Sequence, residues 1–145
     1  MKKGFTLMEL IIVVVIIGIL AMVGLPQFFR VAERGRSAEA VAALGALRSA
    51  QLRFAAETNA TATAANQLDM DVPGLTAGAP ALKFFTITMP AAGINPNTNQ
   101  DAVVGTATRN NTSNSYGAYV LNIQADGDFT CTGGTGNICD LVRPK

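Results

Sequence analysis

Glu9 is the first residue whose type and position raise a chemical question. It stands directly before residues 10–25 (LIIVVVIIGILAMVGL), sixteen positions without a polar side chain. A carboxylate inside a bilayer costs roughly 2.5–3.5 kcal/mol on insertion scales, so such an acid calls for a cationic partner. The plainer reading is a Glu in the first turn of a helix, which the macrodipole stabilises by about 0.3–1 kcal/mol. Cys131 and Cys139 are the only cysteines, and the seven residues between them exclude a CxxC redox motif. Two thiols also fall short of a four-thiolate metal site. Asp126, Asp128 and Asp140 could in principle gather around Ca²⁺, which takes about six to eight oxygens. Asp-Gly-Asp reads more readily as a turn, and no metal site is expected. The chain has no His, which removes His-bound zinc, Ser-His-Asp or Cys-His catalysis, and His-ligated haem. No nucleophile with a base, paired acid and base, or phosphate-cradling loop is visible. The expectation is a non-enzyme without a cofactor.

The elements that must position these residues are set by an uneven distribution of apolar side chains. Of 145 residues, 49% are hydrophobic and only 14% charged, against about 25% charged in ordinary soluble domains. A net charge of +1 leaves no electrostatic footprint for nucleic acid. Between residues 5 and 29 the polar interruptions are Thr6, Glu9 and Gln27. Twenty-five helical residues span about 37 Å, enough for a hydrocarbon core of roughly 30 Å. Lys2 and Lys3 precede the run, so positive-inside bias places the N-terminus in the cytoplasm and the remainder across the membrane. A cleaved secretory signal would have a shorter apolar region and a small-x-small site, whereas this run is followed by Pro26, Gln27, Phe28 and Phe29. Hydropathy alone gives a plain membrane anchor. Glu9, and a basic leader ending in Gly4 directly before Phe5, argue for something more specific.

Residues 4–21, GFTLMELIIVVVIIGILA, resemble the N-terminal signature of type IV prepilins and of the related pseudopilins of type II secretion. Pro26 stands where pilins usually carry proline. The resemblance is close over about 25 of the 145 residues. It implies that a prepilin peptidase/methylase cuts on the cytoplasmic side between Gly4 and Phe5, removing residues 1–4, and methylates the new amine of Phe5. Gly4 suits cleavage because a residue without Cβ lets a protease approach the backbone. The resemblance further implies that Glu9 pairs with the terminal amine of Phe5 on a neighbouring subunit. Gly18, Gly24 and Pro26 would then mark a kink or a stretch that melts in the packed filament. The implied partners are identical subunits, the peptidase, an inner-membrane assembly platform and, before assembly, the membrane. The implied role is a structural subunit of a type IV pilus, first held in the cytoplasmic membrane with its head outside the cytoplasm and later displayed on the cell surface. The rivals are a type II secretion pseudopilin or minor pilin, and a membrane-anchored binding module that never polymerises.

Beyond the apolar run, residues 30–57 continue helix-like, without Pro. Ala40, Ala43, Leu44, Leu47, Ala50 and Phe54 recur at three- and four-residue steps and define one apolar face for a sheet. Arg48 and Arg53 are expected to point away from it, with Glu39 and Glu57 on its flank. Five Arg against three Glu in this stretch could meet lipid headgroups before assembly or acids of adjacent subunits afterwards. A continuous helix over 5–57 would be about 80 Å long, too long for the following head to bury. Residues 58–81, rich in Thr, Asn, Ala and Gly, read as a connecting loop. Strands are expected over 82–89, 102–108, 116–124 and 129–131, with Asp126-Gly127 as a two-residue hairpin turn. The fold class is therefore α+β: a long N-terminal helix, its second half packed on a small antiparallel sheet over 82–145. Outside the cytoplasm a Cys131–Cys139 disulfide is the favoured state. Closing that loop is worth about 2–3 kcal/mol on the chain-entropy model. Pilins commonly bracket a C-terminal loop in this way and major pseudopilins usually do not. The Asn-x-Ser/Thr matches at 59–61, 110–112 and 111–113 carry little weight.

Overall fold

The computed structural model describes residues 4–75, 80–90, 94–110 and 116–144. Residues 1–3 of the expected leader, loop residues 76–79 and the Asn111–Ser113 sequence motif therefore lie outside the described residues. The chain divides into two compact units, Met1–Arg34 and Gly35–Lys145. A single helix, α1 (Leu7–Thr58), contributes to both.

In the first unit the described side chains are exposed through Val31, and Glu33 beyond them is buried. Exposure of the large apolar residues runs from 49% at Ile11 to 88% at Phe5, and Val31 is still 63% exposed. β-branched Ile and Val are indifferent helix formers in water. In a bilayer, however, a helix satisfies every backbone group internally, and such a run is suited to it. The helix is unbroken through Gly18, Gly24 and Pro26, so this single chain has no melted stretch there.

In the second unit α1 turns one face inward. Ala40, Ala43, Leu44, Leu47 and Ala50 are buried, as their spacing predicts. Phe54 is only half-buried; Ala55 and Gln51 take the inner positions at that end. The face packs on an antiparallel meander of β1 (Phe85–Thr88), β2 (Val103–Arg109), β3 (Tyr119–Gln124) and β4 (Phe129–Gly133), in spatial order β1-β2-β3-β4. Alternation decides the inner face: Phe85 and Ile87 of β1 and Tyr119, Leu121 and Ile123 of β3 are buried. Phe85 and Tyr119 meet edge to face at 5.8 Å between ring centroids. A register shift between Val103 and Gly105 breaks the alternation in β2, and Val104 and Gly105 are both buried as a result. Gly105 is there for closeness. A Cβ on it would lie 2.6 Å from a Leu47 methyl and 3.3 Å from Leu44, so the missing side chain sets how near α1 approaches the sheet.

Two strands are shorter than the propensity pattern suggests, while β4 runs two residues longer, to Gly133. β1 begins at Phe85 rather than 82, and β3 begins at Tyr119 because Gly117, at φ +68°, interrupts the extended chain before it. The β3–β4 turn has three residues, not two. Gln124 N–H donates to the Asp128 carbonyl, and only Gly127 of the turn has positive φ. A two-residue type I′ turn needs two such residues, so the chain takes the three-residue form with glycine in the left-handed position. Two short elements were not expected: a 3₁₀ turn at Ala65–Gln67 and α2 (Ile138–Val142), whose Ile138 and Val142 are buried in the core. Cys131 and Cys139 form a disulfide with Cα atoms 5.3 Å apart, tying α2 to β4.

The loop after α1 is fastened mainly by side chains. Asn59 closes the helix in the left-handed region at φ +57°, and Asn97 Nδ2 donates to the Ala55 carbonyl at 2.9 Å. Buried Gln51 exchanges two hydrogen bonds with the backbone of Ala62, at 2.9 and 2.8 Å. Arg53 grips Asp69 through two bonds of 2.5 and 2.8 Å. Arg48 is a correction to the sequence reading. It does not point away from the sheet: its Nε donates to the Ala125 carbonyl at the β3–β4 turn, 2.9 Å away.

Candidate functional site

The N-terminus of α1 gathers the residues expected to carry processing and assembly. Gly4 and Phe5 are exposed and non-helical, ahead of the first helical residue, Leu7. No heavy atom outside the neighbouring residues lies within 4 Å of where a Gly4 Cβ would stand. Both the 4–5 peptide bond and the start of the helix are therefore open to an enzyme.

Glu9 occupies the third helical position and folds back on Thr6. Its Oε2 accepts from the Thr6 backbone N–H and from the Thr6 hydroxyl, both at 2.9 Å, while Thr6 Oγ1 accepts from the Glu9 N–H at 3.2 Å. This is a capping box, which satisfies two of the four backbone donors left unpaired at a helix start. Thr6 was missed as a site residue, although its signal is legible: a Thr followed three residues later by Glu, immediately before an apolar run. The box uses the 5–6 peptide N–H, so a cut between Gly4 and Phe5 leaves it intact. In the uncut chain the Phe5 nitrogen is itself a peptide nitrogen without charge, and Glu9 has no terminal amine to meet. Cleavage would create one beside it.

Gly18 and Gly24 lie on the bare part of α1, with open space where their side chains would be. Pro26 lies in the same stretch. The disulfide cysteines and the three aspartates belong to the head. There Asp126 Oδ1 accepts from the Asp128 N–H at 2.9 Å, fixing the hairpin turn, and Asp140 sits in the first turn of α2. Among the described residues no group of three or more metal-ligating side chains gathers.

Residues 1–25 match the family model described as the prokaryotic N-terminal methylation motif. The chain is 44% identical over 67 residues to the type IV major pilin protein PilA of Myxococcus xanthus, covering 46% of this chain and 30% of that protein. Over its N-terminal helix the chain is similar to type IV pilins. A fimbrial protein of Pseudomonas aeruginosa is 49% identical to this chain over 49 residues, 34% of this chain and 32% of its own. The type IV narrow pilus major component PilA5 of Thermus thermophilus is 48% identical over 48 residues, 33% of this chain and 41% of its own. The chain thus spans about a third of the length of the curated relatives it matches. No solved structure matches it.

Proposed function

We propose that this chain is a structural subunit, a major pilin, that polymerises through its N-terminal helix into a type IV pilus. The carrying observation is that α1 through Val31 exposes large apolar side chains along almost its whole length, over the stretch that contains the methylation motif. Lipid covers such a surface before assembly and copies of the same helix cover it afterwards. Lipid and protein are similarly apolar, so exchange between them has little hydrophobic driving force and depends on packing and on polar pairs. Glu9 supplies that pair. Cut after Gly4 by a prepilin peptidase and methylated, Phe5 carries a cation, and the Glu9 carboxylate of one subunit accepts the Phe5 amine of the next. The Thr6 bonds leave Glu9 capacity for this, since a carboxylate has about four lone-pair sites. Gly18, Gly24 and Pro26 give the helix places to yield when many copies pack together.

In this reading the precursor spans the cytoplasmic membrane with its head beyond it, where the Cys131–Cys139 bond is stable. An assembly platform extracts it. Motility, adhesion or uptake belong to the whole fibre. The names of the relatives, major pilin and major pilus component, support an abundant subunit over a minor pilin or a pseudopilin. The test is mass spectrometry and imaging of fibres sheared from the cell surface. The expected result is a dominant chain that begins at Phe5 with one extra methyl group. Fibres without this chain, or a chain found solely as an anchored monomer, would overturn the reading.

A further inference from the structure

Met70, in the loop after α1, holds its thioether in a fixed place at the surface. The side chain is 37% exposed, and its Sδ accepts from Arg53 Nη2 at 3.1 Å. Nη2 carries two N–H groups, one for Asp69 Oδ1 at 2.8 Å and one for the sulfur. Asp69 therefore pins the guanidinium that covers one side of Met70. On another side Met70 borders an open cleft of about 290 Å³, whose other walls are Ala65, Asn66, Leu68, Asp69 and Asp71. Arg53 is not one of those walls. Met89, by contrast, is partly buried against the core of the head.

A thioether sulfur is a soft nucleophile with two lone pairs, and two-electron oxidants convert it to a sulfoxide whose sulfur is chiral. A freely rotating methionine exposes both lone pairs and gives the two epimers in about equal amounts. A donor aimed at one lone pair removes that choice. We propose that Met70 is the head's acceptor of neutral hydroperoxides, oxidised from the cleft through the lone pair that Arg53 leaves open, and so to one predominant sulfoxide epimer. With hydrogen peroxide, that lone pair attacks one oxygen and the S–O bond forms as the O–O bond breaks. Sulfur gives up two electrons, and the departing oxygen takes the proton of the transferred one and leaves as water. Asp69 and Asp71 on the cleft walls favour an uncharged oxidant over an anionic one. The product costs the fold little, because Met70 stands outside the core and Asp69 keeps its own bonds to Arg53. A sulfoxide at Met89 would instead press a polar oxygen on packed apolar side chains. The site depends on neither membrane insertion nor polymerisation.

The test exposes the full chain, in detergent micelles, to dilute hydrogen peroxide. Trypsin cuts after Lys83, so mass spectrometry reads Met70 and Met89 on separate peptides. The epimers in the Met70 peptide are counted by what each of the two epimer-specific methionine sulfoxide reductases removes. Met70 is expected to oxidise about tenfold faster than Met89, with about a fivefold excess of one epimer. In Arg53→Gln the epimers should approach equal amounts while Met89 stays slow, which marks a head still folded. The unaltered chain in about 8 M urea should lose both the excess and the difference in rate. Met70 oxidising no faster than Met89 in the folded chain would overturn the proposal. So would equal epimers in the folded chain, or an excess that Arg53→Gln leaves untouched.

Discussion

Along α1, residues 7–31 and residues 35–58 share one helical backbone and differ in what their side chains find. The later stretch has small residues, Ala40, Ala43 and Ala50, at the positions that face the sheet, and Leu44 and Leu47 fill the space over Gly105. The earlier stretch is larger and more apolar on every side and meets nothing in its own unit. An apolar stripe on one face belongs to a helix that buries that face in its own domain. An apolar surface all round belongs to a helix that takes cover elsewhere. Hydrophobicity alone does not separate these fates; its distribution around the helix does.

The sharpest break would come from separating the two stretches. The unit from Gly35 onward, expressed alone, should be a water-soluble monomer with a single cooperative melt, while the full chain stays in detergent or lipid; size-exclusion chromatography decides. A head that aggregates when freed of the first stretch would refute the contrast. Next in size is Glu9→Leu, expected to insert and be cut normally yet to abolish surface fibres, scored by shearing and immunoblotting. Normal fibres would remove the carboxylate–amine pair from the assembly account. Within the head, Gly105→Ala forces a methyl against Leu47 and should cost about 1–3 kcal/mol in urea unfolding of the soluble unit. An unchanged midpoint would mean the helix has slack over β2.

The smallest effect concerns the Arg53–Asp69 pair. Hydrogen bonds from Arg53 hold the Asp69 carboxyl below its ordinary value. A depressed carboxylate stabilises the fold above its unfolded-state pKa, and that contribution is lost as pH falls through the folded value. Both side chains are about half exposed, so solvent screens the pair and the effect should be slight. Asp69→Asn should lower the stability of the head slightly near neutrality and make its pH dependence on the acid side a little less steep. Identical acid limbs for the two proteins would show that the pair contributes nothing.

The periodicity of residues 40–50, the antiparallel strand order and the cysteine pair were all legible in the sequence because each follows from local pattern or from a count of two. Phe54 was misplaced because the end of α1 is capped by distant Asn97 and buried through Gln51, contacts that depend on where the loop returns. Arg48 was misjudged for the same reason: an angle on a helical wheel says nothing about a hairpin carbonyl 77 residues away. At the candidate site Glu9 stood out through its contrast with the apolar run, while Thr6 was passed over although the capping signal lies within four residues. The contact of Arg53 with Met70 joins α1 to the loop that returns beside it, and no local pattern contains it.

Gln51 and Arg53 hold the stretch that follows α1 from the helix side, one by the main chain of Ala62 and the other by a single carboxylate. A grip on main-chain atoms does not ask which amino acid it is holding. The exposed positions of the connecting segment, unlike buried Thr61, Ala62 and Val72, can thus be rewritten over generations without loosening these moorings, so its outward face can change while its attachment stays the same.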